Sequence, residues 1–133
     1  MKKYIGVFSP QLYALLRIIA GLMFAMHGSQ KLFGWPGDSD PVELFSLMGL
    51  AGIVELFGGI LIMIGLFASI AAFICSGQMA VAFFMVHAPQ HWNPLINEGE
   101  LAAVYCFLFL YIASKGAGIW SVDGERKKTV PAL

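Results

Sequence analysis

Four long apolar segments separated by polar breaks organise the chain, at about residues 12–33, 44–67, 69–87 and 100–116. Each is close to the roughly 20 residues that the hydrocarbon layer of a bilayer demands of a helix. The first ends in a turn-rich stretch, GWPGDSDPVE, whose Pro36, Gly37, Asp38 and Pro41 stop a helix. The second and third segments meet almost without a break between Leu66 and Ser69, which predicts an antiparallel hairpin. A second polar loop, APQHWNPLINEG, leads into the fourth segment, and from Ser121 the chain turns polar and ends RKKTVPAL. The pattern predicts an all-α, polytopic membrane protein: an antiparallel bundle of four transmembrane helices forming one domain over residues 1–133.

Composition agrees. Of 133 residues 59% are hydrophobic and 12% charged, against about 45–50% and about 25% in ordinary soluble domains. Lys2 and Lys3 before an apolar run resemble a secretory signal, but Arg17 interrupts the run and no small-residue cleavage site follows, so an uncleaved first span is predicted. The formal net charge is zero, which offers nothing to a nucleic acid, and the chain's surroundings are membrane lipids. The charges are nevertheless sorted. With four spans, Lys2, Lys3, Arg17, Lys115, Arg126, Lys127 and Lys128 fall on one side and Lys31 alone on the other, which places both termini in the cytoplasm. Asp38, Asp40, Glu43, Glu98 and Glu100 gather on the opposite face. Trp35, Trp92 and Trp120 occupy positions of interfacial anchors.

Packing signals point to a close bundle. On the second segment Gly52 and Gly59, and likewise Ala51, Gly58 and Gly65, recur at seven-residue spacing and form a small-residue face that lets membrane helices approach. Inside that face stands Glu55, the lone acid of the segment. On the first helix Arg17, Phe24, Gly28 and Lys31 share a stripe with His27 beside it, at roughly 100° per residue. An ionisable group near the bilayer centre is expensive and defaults to a functional role. Glu55, His27, Lys31, Arg17 and Gln78 therefore form the candidate ligand-binding cluster, and the sequence alone leaves open which cation pairs with Glu55. Phe24, Leu56, Met23, Met26 and Met79 are its expected walls. His87 and His91 have a metal-like spacing, but Pro89 interrupts a helix there and no third ligand follows, so no metal is assigned. Cys75 and Cys106 lie far apart with no C-x-x-C. No phosphate loop, dinucleotide fingerprint, nucleophile elbow or haem-attachment motif is present, and no catalytic residue is named by pattern.

Several short motifs, in order, resemble the DoxX family of small bacterial membrane proteins. They are R-x-x-x-G-x-x-F-x-x-H-G-x-x-K-L-F-G from Arg17 to Gly34, E-L-F-G-G from Glu55 to Gly59, and H-x-P at His87 to Pro89. N-x-G-E at Asn97 to Glu100 and G-x-G-x-W-S-x-D at Gly116 to Asp123 complete the set, so that the resemblance extends over about residues 12–124. It implies a multi-pass protein of the bacterial cytoplasmic membrane and an accessory subunit of a redox-linked, quinone-associated membrane complex. The alternative it allows is a component that itself binds a quinone or another small molecule, and a more distant one is a small proton or ion transporter. Quinone is the cofactor the resemblance implies. It carries over no catalytic residue set.

Overall fold

A computed structural model describes residues 2–129. Among them there is no strand, and the helices follow the apolar segments. Helix α1 (Lys2–Ile5) runs through a 3-10 turn (Gly6–Phe8) into α2 (Ser9–Phe33), so the first span starts well before Leu12. Helix α3 is Leu47–Ile64, α4 is Ala68–Ala82 continued by a π turn at Phe83–His87, α5 is Glu100–Lys115, and α6 is Val122–Thr129. Three stretches are long and apolar enough to cross a membrane: Lys3–Phe33, Leu47–Ile64 and Ala68–His87. Helix α5 has 16 residues, or roughly 24 Å of rise, which is shorter than a hydrocarbon layer of roughly 30 Å.

The ends of these helices have local causes. Gly34 takes a left-handed conformation (φ 73°) and its N–H donates to the Gln30 carbonyl, closing α2. The Ser46 hydroxyl accepts from the Gly49 N–H at 3.0 Å and caps α3, which is why that helix begins at Leu47 and not at Leu44. Gly65 (φ 71°) ends α3 and opens the tight turn to α4.

Helices α2 and α3 are in backbone contact along their length. A Cβ placed on Gly21 would stand 2.5 Å from the Met63 nitrogen, and one on Gly59 2.5 Å from the Ala25 nitrogen. Gly28 meets Gly52 and Leu56 in the same way. The small-residue face on α3 thus has a matching pair on α2, Gly21 and Gly28, and the opposed numbering shows that the two helices run in opposite directions. Phe24 leaves this interface to stack edge-on against Phe109 of α5, ring centres 4.7 Å apart. Phe24, Phe109, Ile62 and Ile112 are fully buried at the centre. Ile19, Leu22, Phe73 and Phe107 point outward, an apolar exterior that suits hydrocarbon as its solvent.

The polar C-terminal stretch is not a free tail. Ser121 is buried, caps α6 by accepting from the Gly124 N–H, and packs on Gly65. Asp123 donates its N–H to the Gly65 carbonyl, and its carboxylate accepts from the Ala68 N–H at 3.1 Å, which caps α4 where Phe67 (φ 49°) supplies no side-chain cap. The sequence marks this stretch only as polar, and residues 130–133 lie outside the described residues.

Candidate functional site

The centre of the site is Glu55, 1% exposed and two turns in from the end of α3. One carboxylate oxygen, Oε1, accepts from Lys31 Nζ at 2.5 Å and from Gln78 Nε2 at 2.9 Å. Lys31 comes from the last turn of α2 and Gln78 from α4, so three helices meet at one oxygen. Side-chain reach explains the choice of partner: with Gly28 seated on Gly52 and Leu56, Glu55 is level with His27, whose ring faces Tyr105, and the flexible stem of Lys31 spans the one turn to the carboxylate. Gln78 Nε2 also donates to the Ala51 carbonyl at 3.3 Å, and because both neighbours are acceptors the amide orientation is determined.

Two acceptors are left over. Glu55 Oε2 and Gln78 Oε1 are buried with no hydrogen-bond partner. Buried polar atoms without partners are rare in folded proteins, and a carboxylate oxygen is among the costliest to strand. Both belong to residues that border a cleft of about 420 Å³ between α3 and α4. Its sides are Met48, Val54, Ile74, Val81 and Met85, and its polar end is Lys31, Glu55, Gln78 and His87. An apolar cleft with a few convergent polar groups is the usual form of a small-molecule site.

A second cavity of about 220 Å³ lies on the other side of Glu55, bordered by Phe24 and His27 of α2, Met79 of α4, and Tyr105 of α5. His27 is half-buried there, its ring edge-on to Tyr105 with centres 6.4 Å apart. The expected walls are therefore divided. Phe24 and Met79 line this smaller cavity, Met23 and Met26 border a separate shallow depression with Gln30 and Pro36, and the cleft itself is walled by residues the sequence did not single out. Met48 and Met85 were invisible to spacing because the cleft forms between the lipid-side shoulders of α3 and α4 and not along the stripe of α2.

Arg17 does not join this cluster, and it does not reach toward an interface. It is wholly buried, and its guanidinium donates to the carbonyls of Ile62 (2.7 Å) and Met63 (2.6 Å) at the end of α3 and of Trp120 (2.7 Å) before α6. The last carbonyls of a helix have no partners within it and carry the negative end of the helix dipole. A planar five-donor cation satisfies that demand where a carboxylate is not needed. Arg17 thus holds α2, α3 and the C-terminal segment together.

His87 and His91 also part company. The π turn at Phe83–His87 and the break at Pro89 direct His87 Nδ1 to the Asn97 carbonyl (2.9 Å), while His91 Nδ1 accepts from the Asn93 N–H (3.0 Å). Among the described residues no three His, Cys, Asp or Glu side chains gather as a metal-holding group. Asn97, 2% exposed, accepts from the Gly99 N–H and donates to the His91 carbonyl, so it stitches the 88–99 loop over the site. Its only sequence signal was its place in the N-x-G-E motif. Cys75 and Cys106 are free thiols.

Comparisons with known proteins agree with the motifs. An uncharacterized protein of Haemophilus influenzae is 38% identical over 129 residues, covering 89% of this chain and 92% of its own. A Bacillus subtilis protein named "Putative oxidoreductase CatD" is 25% identical over 116 residues, 82% of each chain. No solved structure matches. The DoxX family model matches residues 12–88, from α2 through the π turn and including every polar residue at the head of the cleft. With that match, the chain belongs to the DoxX family.

Proposed function

We propose that this protein is a redox-linked subunit of a quinone-associated complex in the bacterial cytoplasmic membrane, and that it holds the quinone's head group itself. The reading includes four antiparallel spans with both termini cytoplasmic, α5 completing the crossing with help from the loops at its ends. The bias of seven basic residues to one side supports that orientation. The electrons of any turnover pass to a cofactor on a partner protein. The name of the Bacillus subtilis relative, a putative oxidoreductase, is consistent with a redox setting.

The observation that carries the proposal is the pair of buried, partnerless acceptors, Glu55 Oε2 and Gln78 Oε1, at the polar end of the α3–α4 cleft. Acceptors need a donor. A reduced head group supplies a ring hydroxyl as donor, and its apolar tail fills the cleft. The residues fit that group: the acceptor pair Glu55 and Gln78 takes one ring hydroxyl, Lys31 holds the carboxylate in place, and the aliphatic walls take the tail. Bound there, the group supplies a two-electron, two-proton couple; the chain supplies the position of one hydroxyl and a base beside it.

The test is binding of a decyl-tailed benzoquinol to the purified protein in nanodiscs. Glu55→Gln keeps the shape and removes the charge. A hydrogen bond to a charged group contributes about 1.5–3 kcal/mol, so the affinity should drop by roughly 10- to 150-fold. Unchanged affinity in a folded Glu55→Gln protein refutes the assignment.

A further inference from the structure

Glu55, Lys31, Ala82 and His87 border both the apolar cleft and the smaller cavity, so the two spaces share one wall. Their chemistry differs. The cleft is aliphatic beyond its head, whereas the smaller cavity has His27, Glu98 and Tyr105 in its lining. Glu98 is exposed at the surface and Glu55 is buried, so the cavity runs from the loop end of the helices inward to the carboxylate. A cavity of about 220 Å³ with His27, Lys31, Glu55, His87 and Glu98 in its wall is large enough for several waters, and a buried carboxylate oxygen without a donor is the group that most needs one.

We infer that the smaller cavity is a water-filled proton route joining Glu55 to the aqueous side at the loop end, with His27, His87 and Glu98 as its titratable stations. The groups around Glu55 fit that task. From α2, Lys31 holds Oε1 and His27 borders the route; from α4, Gln78 also holds Oε1, and Cys75 lies near the Val54 carbonyl beneath. His87 of the π turn, Glu98 of the loop and Tyr105 of α5 close the ring. With Oε1 committed to two donors, Oε2 is the atom free to gain and lose a proton. Oε2 would take a proton from a donor in the cleft and pass it to cavity water; one O–H bond breaks and one forms at each transfer, and no electron moves. The ligand side rests on the reading of the cleft given above, whereas the route needs only Glu55 and the cavity.

Ala102, 6% exposed on α5, lines the route and not the cleft. Ala102→Cys adds one atom and permits blocking after folding with 2-sulfonatoethyl methanethiosulfonate, a charged reagent that reacts only where water reaches; the wild type with its two native thiols is the control. Glu55 protonation is followed in nanodiscs by the infrared carboxyl band after a pH jump, identified by its loss in Glu55→Gln. The expected result is labelling from the loop side of oriented vesicles, and a Glu55 exchange slowed by roughly a hundredfold, the low end of what a positioned proton relay contributes. His27→Leu, outside the cleft, should also slow the exchange. An introduced thiol that stays inert in the folded Ala102→Cys protein overturns the route, as does an exchange rate unchanged by both the label and His27→Leu. Failure of decylquinol to bind the unlabelled protein removes the ligand reading alone, and the exchange rates still decide the route.

Discussion

Replacing Arg17 tests whether that residue is an architectural tie or a member of the Glu55 site. The guanidinium makes three short hydrogen bonds, to the carbonyls of Ile62, Met63 and Trp120, at 2.6 to 2.7 Å. Hydrogen bonds between membrane helices average about 0.6 kcal/mol and reach about 1.7 kcal/mol, so losing three removes about 2–5 kcal/mol. Against this, Met at position 17 no longer has to desolvate a charge, and its stem refills much of the volume. The net expectation for Arg17→Met is the lower half of the range, about 2–3 kcal/mol of destabilisation. Arg17→Lys should fall between, since an ammonium can serve the end of α3 or the Trp120 carbonyl without spanning both. Reversible denaturation in mixed micelles measures the stability. Trypsin cleavage at Arg126, Lys127 and Lys128 reports whether the C-terminal segment has come loose. Decylquinol affinity should not change, because Arg17 touches neither cavity. A variant within about 0.5 kcal/mol of wild type with unaltered cleavage refutes the tie. A fall in affinity at full stability would place Arg17 back in the site.

Much of the helical layout was legible because hydropathy is a property of whole segments, and every apolar run became a helix with its ends moved by a few residues. The moves trace to single side chains: the Ser46 hydroxyl delays α3, and Pro89 lets α4 relax into a π turn at Phe83–His87. The candidate cluster was legible as a set of polar positions on greasy helices, but its pairing was not. Spacing leaves open which of His27, Lys31 and Arg17 meets Glu55. The glycine contacts fix the register and leave Glu55 level with His27; the His27 ring faces Tyr105, and the longer Lys31 stem from the next turn takes the carboxylate. The seven-residue spacing of Gly21 and Gly28 held that register in plain view, since it matches that of Gly52 and Gly59. The place of Arg17 is hidden for a different reason. Its partners are main-chain carbonyls of a helix end and a loop, and carbonyls leave no mark in a sequence. The docking of α6 likewise leaves no mark in the sequence, because Ser121 and Asp123 act on the backbone of Gly65 and Ala68.

The remaining predictions address packing and charge. Gly28→Ala and Gly21→Ala each place a methyl against the backbone of α3, which cannot yield as a side chain can; each should cost about 1–3 kcal/mol by overpacking, measured by denaturation in micelles, while Gly77→Ala, whose Cβ meets nothing within 4 Å, should be neutral or mildly stabilising. Equal effects at positions 28 and 77 would remove the glycine interface from the account. Lys31→Met leaves a buried carboxylate without its cation, which should cost about 3–5 kcal/mol. Glu55→Gln alone should be milder, because Gln78 can still bond a neutral amide and Lys31, 26% exposed, can turn to water. The double variant decides what the pair is for. If the ion pair only locks α2 to α3, Lys31→Met/Glu55→Gln should recover stability and leave decylquinol binding near wild type, since a well-packed neutral pair locks helices as well as a charged one. If the carboxylate is there to receive a hydroxyl from the cleft, stability returns while binding stays weak. That separation of stability from affinity is the result expected from a carboxylate with one oxygen held by Lys31 and Gln78 and the other held by nothing.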